Sequence, residues 1–391
     1  MAEPNQKLRV CYFGTYSRGE EYARNNAIIN GLEQNGVEVI ACQADVWATH
    51  EEKLQGASRG LIAQAWAYLR TYFSLIYRYL RLPDHDFIFV GYIGHIDMFP
   101  AFFVSLLRRK PIVFDAFYSL YNTVIEDRGL HLKKSLRARI LRCIDRWSCK
   151  LAGLVLLDTD EHIKYFCQEF RLDAAKFLAI PPGTDEKNFY PRPWLEDDGV
   201  FDCISCSSYI PLHGIDVQIE AVEILRDHPD IRFTFVGKGQ LYPEIRKKAE
   251  QAGLENITFI EWVTHAELVE LIAKADLSLG IFGTTEKASR VVPYKAYNTL
   301  AMQKPLITGD SPASRELIED GLHARLSPMG DAKSLARIIL ELKDNPEQCQ
   351  QLAQQGRKLF EEKCTNNMMA NTILNTMAKR WPEKVKPLSP A

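Results

Sequence analysis

The sequence lacks a charge imbalance: 48 Lys and Arg stand against 50 Asp and Glu, a formal net charge of −2. A whole-chain electrostatic preference for nucleic acid is thereby excluded, although local patches are not. It lacks a disulfide framework. Its nine Cys are odd in number and irregular in spacing, which implies a reducing, cytoplasmic setting. Cys203 and Cys206 have CxxC spacing, but no second pair completes a zinc site, so no metal is expected. The glycines of GTYSRGEEY (14–22) lack the G-x-G-x-x-G spacing, which disfavours a nicotinamide cofactor. MAEPNQKLRV lacks a signal-peptide pattern. There is also no long apolar run free of charge. Residues 60–82 come nearest, yet they contain Arg70, Arg78 and Arg81. An Arg at the centre of a membrane span costs about 2.5–3.5 kcal/mol even on the lenient scale. An amphipathic helix packed on the core is the expectation for 60–82, with a surface membrane helix as the alternative.

What is present is alternation. Apolar runs at 8–16, 37–44, 86–92, 111–117, 154–160 and 175–183 read as strands, separated by helical stretches. The runs are continuously apolar rather than period-two, as in a parallel sheet covered on both faces. FYPRPWLEDDGV (189–200) interrupts them as a linker, and the alternation restarts at 201. The chain therefore reads as α/β with two Rossmann-like units, 1–195 and 196–365. The stretch 366–391 reads as a closing helix and a tail. Open parallel sheets bind ligands beyond the carboxyl ends of their strands. Two such units facing each other make a cleft lined by Gly14–Tyr16, Gly91–His95, Asp115, Gly237–Gly239, Glu261–Val263 and Gly283–Arg290.

One stretch poses a question. In SRVVPYKAYNTLAMQKPLITGD (289–310), Lys295 stands near the start of a helix. Helix starts favour negative charge, because their N–H groups are unpaired and the macrodipole is positive there. A Lys at that end suggests that an anion visits.

Several stretches, in order along the chain, carry a resemblance. They are IPPGTDEKNFYP (180–191), SSYIPLHGIDVQIEA (207–221), IRFTFVGKGQ (231–240), ITFIEWVTHAELVELIAKADLSL (257–279) and SPASRELIEDGLHARLSPMGDAKSLARII (311–339). In these the chain resembles the family 4 retaining glycosyltransferases (glycosyl transferases group 1), which have the GT-B fold. The resemblance implies a nucleotide-sugar donor held mainly by the second unit and an acceptor held mainly by the first. It also implies transfer with retention, no metal, and no cofactor beyond the donor as cosubstrate. The stretch 366–380 would cross back to the first unit, as in the family.

The departures from the family pattern matter. Where the family usually carries a ribose-binding Glu, this chain has Asn298, and eight residues earlier it has Arg290 instead of a second Glu. An amide can still bond a ribose diol. The nearest acid, Glu286, takes the sugar-hydroxyl role in this reading. Ser208 and His213 occupy the places of the family's two diphosphate cations. Lys295, Lys287 and Arg290 are then the cations expected at the phosphates. Further expected contacts are Gly214 and Gly237 in the phosphate loops and Trp262 and Val263 at the base. Gly14, Tyr16, Gly94 and His95 are expected on the acceptor side, with Asp115 as a carboxylate for sugar hydroxyls. Asp158 and His162 look like helix-start dressing. Residues 128–150 hold eight Lys or Arg and a single acid, Asp145. Such a stripe attracts anionic headgroups by about 1 kcal/mol per cation, so a lipid-linked acceptor and a peripheral membrane position enter the reading. A catalytically silent nucleotide-sugar binder and a sugar-nucleotide epimerase are the alternatives.

Overall fold

The computed structural model describes residues 7–19, 23–44, 61–194 and 198–386. The start of the helix read at 20–35, the middle of the linker at 195–197 and the last tail residues lie outside them. Six strands form the first sheet: Arg9–Gly14 (β1), Glu38–Gln43 (β2), Phe87–Val90 (β3), Ile112–Phe117 (β4), Leu154–Leu157 (β5) and Phe177–Ala179 (β6). Their order is β2-β1-β3-β4-β5-β6, and every pairing is parallel. The second sheet uses Phe201–Cys206 (β7), Ile231–Val236 (β8), Ile257–Ile260 (β9), Leu277–Leu279 (β10), Leu306–Asp310 (β11) and Arg325–Pro328 (β12). Its order is β12-β11-β10-β7-β8-β9, again all parallel. The strand RLSP of β12 is short and half polar, so its sequence resembles a loop.

Central strands are buried on both faces, as in FIFV of β3 and LVLL of β5, which explains their unbroken apolar character. In the first unit the helices are Ala23–Gln34 (α1), Leu61–Leu80 (α2), Met98–Arg108 (α3), Leu136–Leu151 (α4) and Asp160–Phe170 (α5). The second unit adds Ile215–Ile224 (α6), Tyr242–Gln251 (α7), His265–Lys274 (α8), Tyr294–Ala301 (α9), Pro312–Leu317 (α10), Ala332–Lys343 (α11) and Pro346–Lys363 (α12). The last helix, Asn366–Arg380 (α13), packs on α1 through Met369, Ile373 and Met377, in one apolar cluster with Ile28 and Leu32.

Helix α2 does contribute Leu75 and Tyr79 to the core, but Trp66, Phe73 and Tyr77 on its other side are exposed. Cys203 is buried and Cys206 half-buried in β7, and both are free thiols.

Candidate active site

Each sheet changes winding direction once. In the second, β7 and β10 are neighbours, and the chain leaves them toward opposite edges. A crevice opens at such a point, beyond the carboxyl ends of the strands. Ser207 follows β7 and Gly280 follows β10. Lys295, from the first turn of α9, reaches between them. Its Nζ donates to the Gly280 carbonyl at 2.9 Å and to Ser207 Oγ. Burial pushes the Lys295 amine down to about 7. Helix α9 starts at Pro293 and α6 at Gly214, and neither has a side-chain cap. Seven other helices are capped by Ser135, Thr159, Thr264, Ser311, Asp331, Asn345 and Thr365, while α3 and α7 also lack a side-chain cap. Uncapped starts leave N–H groups for a ligand.

His213 closes the turn before α6. Gly214 beside it has φ +59°, and a Cβ there would lie 2.3 Å from Gly283 N, so the two loops meet backbone to backbone. His213 Nδ1 is buried and lacks a hydrogen-bond partner among the described residues. Burial, followed by the charges of Lys295, Lys287 and Arg128, pushes His213 down to about 3. Burial thus disfavours the charged imidazole, which leaves Lys295 and Lys287 as the cation candidates beside it. Lys287 Nζ crosses the cleft to Thr123 Oγ1 at 2.9 Å, with Asp127 Oδ2 at 3.9 Å. Arg290 pairs with Glu286 and lies over the Tyr165 ring at 4.2 Å, while its carbonyl accepts from Thr159 Oγ1.

Several expected site residues sit elsewhere. Glu286 has a side chain 86% exposed and rests on Arg290, so it does not stand as an inward carboxylate. Asn298 is buried, and its Oδ1 accepts at 3.1 Å from Thr184 Oγ1 in the connection between β6 and β7, the hinge between the two sheets. One of that oxygen's two acceptor positions is thereby used. Ser208 is exposed beside the crevice, and Gly237 abuts Ser207. Trp262 is 76% exposed and lines a hollow with Val263, Asn188 and Arg192 beside the hinge.

In the first sheet the winding reverses between β1 and β3. Gly14 ends β1 with φ +137°, where a Cβ would fall 2.4 Å from Asp97 Oδ2. The missing side chain lets Asp97 accept from Thr15 N at 2.7 Å and from Tyr72 OH at 2.8 Å. Tyr16 is buried edge-on to Tyr12. Gly94 folds tightly onto the Gly91 carbonyl. His95 is buried, donates from Nε2 to the Tyr118 carbonyl at 3.0 Å, and is pushed down to about 4 by burial. Asp115, expected at sugar hydroxyls, is instead buried against Arg24, whose Nη2 lies 2.8 Å from Oδ1. These five brace the cleft floor. The same Arg24 donates to the Pro181 carbonyl of the hinge at 3.1 Å and lies over Phe117 at 4.3 Å.

Sequence reasoning passed over Arg24, Asn25, Asp97, Thr123, Arg128 and Glu316. Asn25 bonds Ser17 O, Tyr92 O and Tyr92 N, stitching the loops after β1 and β3. Glu316 receives Asp160 N and Glu161 N, each at 2.8 Å, from across the cleft. A polar residue inside an apolar helical face was the available signal for Arg24 and Asn25. Glu316 gave none, because its partners are backbone groups.

Residues 186–359 match the family described as Glycosyl transferases group 1. The match covers most of the second unit. The matched residues include the Lys295 crevice. The putative glycosyltransferase EpsD of Bacillus subtilis (strain 168) is 32% identical over 174 residues, 42% of this chain and 43% of that protein. The chain thus spans less than half the length of that relative. Over both halves the chain has the GT-B fold. It superposes on Anabaena Alr3699/HepE, solved in complex with UDP and glucose, with a TM-score of 0.66 at 16% identity, covering 95% of this chain and 99% of that one. Sucrose-phosphate synthase from Thermosynechococcus elongatus gives 0.70 at 12% identity, covering 96% and 100%.

Proposed function

We propose that the chain is a retaining glycosyltransferase that takes a sugar from a nucleoside-diphosphate donor. The observation that carries the reading is Lys295, an amine held in the β7–β10 crevice between two uncapped helix starts. When the bond from the anomeric carbon to the diphosphate oxygen breaks, negative charge grows on the departing phosphates. Lys295 and the N–H groups of α6 and α9 are aimed where that charge develops, and such aimed donors stabilise the transition state more than the ground state. The family's usual cations are replaced by Ser208 and by a neutral His213, so Lys295 is the principal cation and Lys287 the second. The charge comes from amines, which is why the reading has no metal. Similarity to a protein solved with UDP and glucose supports a nucleotide-sugar donor.

Asn298 takes a different role from the one its position suggested: it ties the hinge to α9. The acceptor is held by the first unit, as a carbohydrate or a lipid-linked sugar. No helix among the described residues is long and apolar enough to cross a membrane, so a membrane-borne acceptor would be met from the surface.

Incubation of the purified chain with a panel of nucleotide sugars, without acceptor, tests the reading. Release of free sugar and nucleoside diphosphate supports it. Thermal stabilisation with the donor left intact points to a silent binder, and a donor returned with an altered sugar points to an epimerase. Either result overturns the proposal.

A further inference from the structure

Helices α2, α3 and α4 lie side by side on one face of the first sheet. Each buries one side, and each carries a second apolar stripe facing out. On α2 the exposed positions are Trp66, Leu69, Phe73, Tyr77 and Leu80. On and before α3 they are Ile96, Phe99, Phe103, Leu106 and Leu107. On and before α4 they are Leu132, Leu136, Ile140 and Trp147. Within the helices, spacing of three, four and seven puts each set on one face. Scattered exposed apolar side chains are ordinary, but three parallel stripes on adjacent helices make a surface that wants a partner.

The charges say which partner. Across 61–82, 98–110 and 128–151 the sequence has one acid, Asp145. Asp145 is buried, where it accepts from Ser119 Oγ and the backbone of Leu120 and Tyr121. Beside the stripes stand exposed Arg70, Arg78, Lys134, Arg137, Arg139 and Lys150. Nearby acids answer part of this charge: Glu169 pairs with Arg142 at 3.0 Å, and Glu126 lies 3.8 Å from Lys133. A second copy of the chain would oppose cations to cations. An apolar surface rimmed by cations is matched by a bilayer, which offers acyl chains to the one and phosphates to the other.

The position of the face adds a purpose. Helices α3 and α4 begin beyond the carboxyl ends of β3 and β4, at the rim of the cleft. Leu132, 82% exposed, lies in the segment just past Asn122–Asp127, whose Thr123 bonds Lys287 across the cleft. We infer that the α2–α3–α4 face docks on an anionic phospholipid bilayer with the 128–136 segment dipping in, so that the cleft opens at the lipid surface and takes a lipid-linked acceptor. The docking stands without the transferase reading; the acceptor class rests on it.

The full chain is sedimented with vesicles of phosphatidylcholine alone and of equimolar phosphatidylcholine and phosphatidylglycerol. Binding to the anionic vesicles at low salt, weakened by added salt, is expected. The pair Leu132→Asp and Leu136→Asp, and separately the triple change Lys134→Glu, Arg137→Glu and Arg139→Glu, should each lower partitioning by about tenfold or more. All five positions are exposed, so thermal melts should stay unchanged and report that the fold is kept. Donor hydrolysis by both variants should persist in solution, which separates this test from that of the transferase. The inference is overturned if the native chain ignores anionic vesicles at low salt. It is equally overturned if light scattering shows a dimer that these same changes dissociate.

Discussion

Lys295 Nζ and the Gly280 carbonyl stand 2.9 Å apart, bridging the end of β10 and the start of α9 at the point where the second sheet reverses its winding. The bond holds an amine in place before any ligand arrives. A preorganised cation of this kind needs no rearrangement as charge develops on a leaving group.

Lys295→Ala should therefore reduce donor turnover about a hundredfold or more, since one such donor is typically worth about 2.7–4 kcal/mol in the transition state. Steady-state release of nucleoside diphosphate measures this. A fall smaller than about threefold would remove Lys295 from the site's chemistry.

The same amine sets a pH signature. With Lys295 at about 7, a diphosphate that selects the ammonium form must be accompanied by proton uptake above that pH. Affinity for UDP should weaken by up to about tenfold per pH unit above 7, until the raised pKa of the complex is reached. Titration calorimetry in two buffers of different ionisation enthalpy counts the protons directly. The stability effect has the opposite sense. The folded pKa lies below the unfolded value of about 10.4, so the unfolded chain binds more protons between the two. The burden of burying this amine is then largest below pH 7 and fades as pH rises toward 10.4. Lys295→Met should raise the melting temperature near neutrality, with the gain shrinking in alkaline buffer.

Arg24 and Asp115 separate a structural role from a catalytic one. Arg24→Met leaves the Asp115 carboxylate buried and unpaired, and breaking a buried pair from one side costs about 3–5 kcal/mol. A strongly lowered melt with little change in UDP affinity is expected. Selective loss of donor binding in a stably folded Asp115→Asn variant would return this carboxylate to the site.

Glu316 reports on cleft closure. It accepts from the first N–H groups of α5 across the cleft, and losing a helix cap typically costs about 1 kcal/mol. Glu316→Ala should enlarge the radius of gyration of the ligand-free chain in small-angle scattering, and saturating UDP should reverse the change. Identical scattering curves for variant and parent would show that the contact does not set the cleft.

Much of this was readable in advance. The unbroken apolar strands fixed a parallel sheet twice over, because only a strand covered on both faces can afford no polar side. The helix-start Lys was likewise legible, since its charge opposes the local dipole. The partner of Asp115 was not legible, because a carboxylate at a strand end looks the same whether it faces a cleft or an Arg from another helix. The pairing of Arg24 with Asp115 spans 91 positions, and that of Lys295 with Ser207 spans 88.

The sequence by itself determined what is local: the period of each element, the glycines at the turns, and the chemistry carried by each strand-end loop. Tertiary structure alone decided which of those loops meet, which carboxylates are neutralised, and that α2 turns a second apolar side outward beside two others. The physical reason is that burial and pairing belong to neighbours in space, and in a parallel α/β chain those neighbours are brought together by crossovers of dozens of residues.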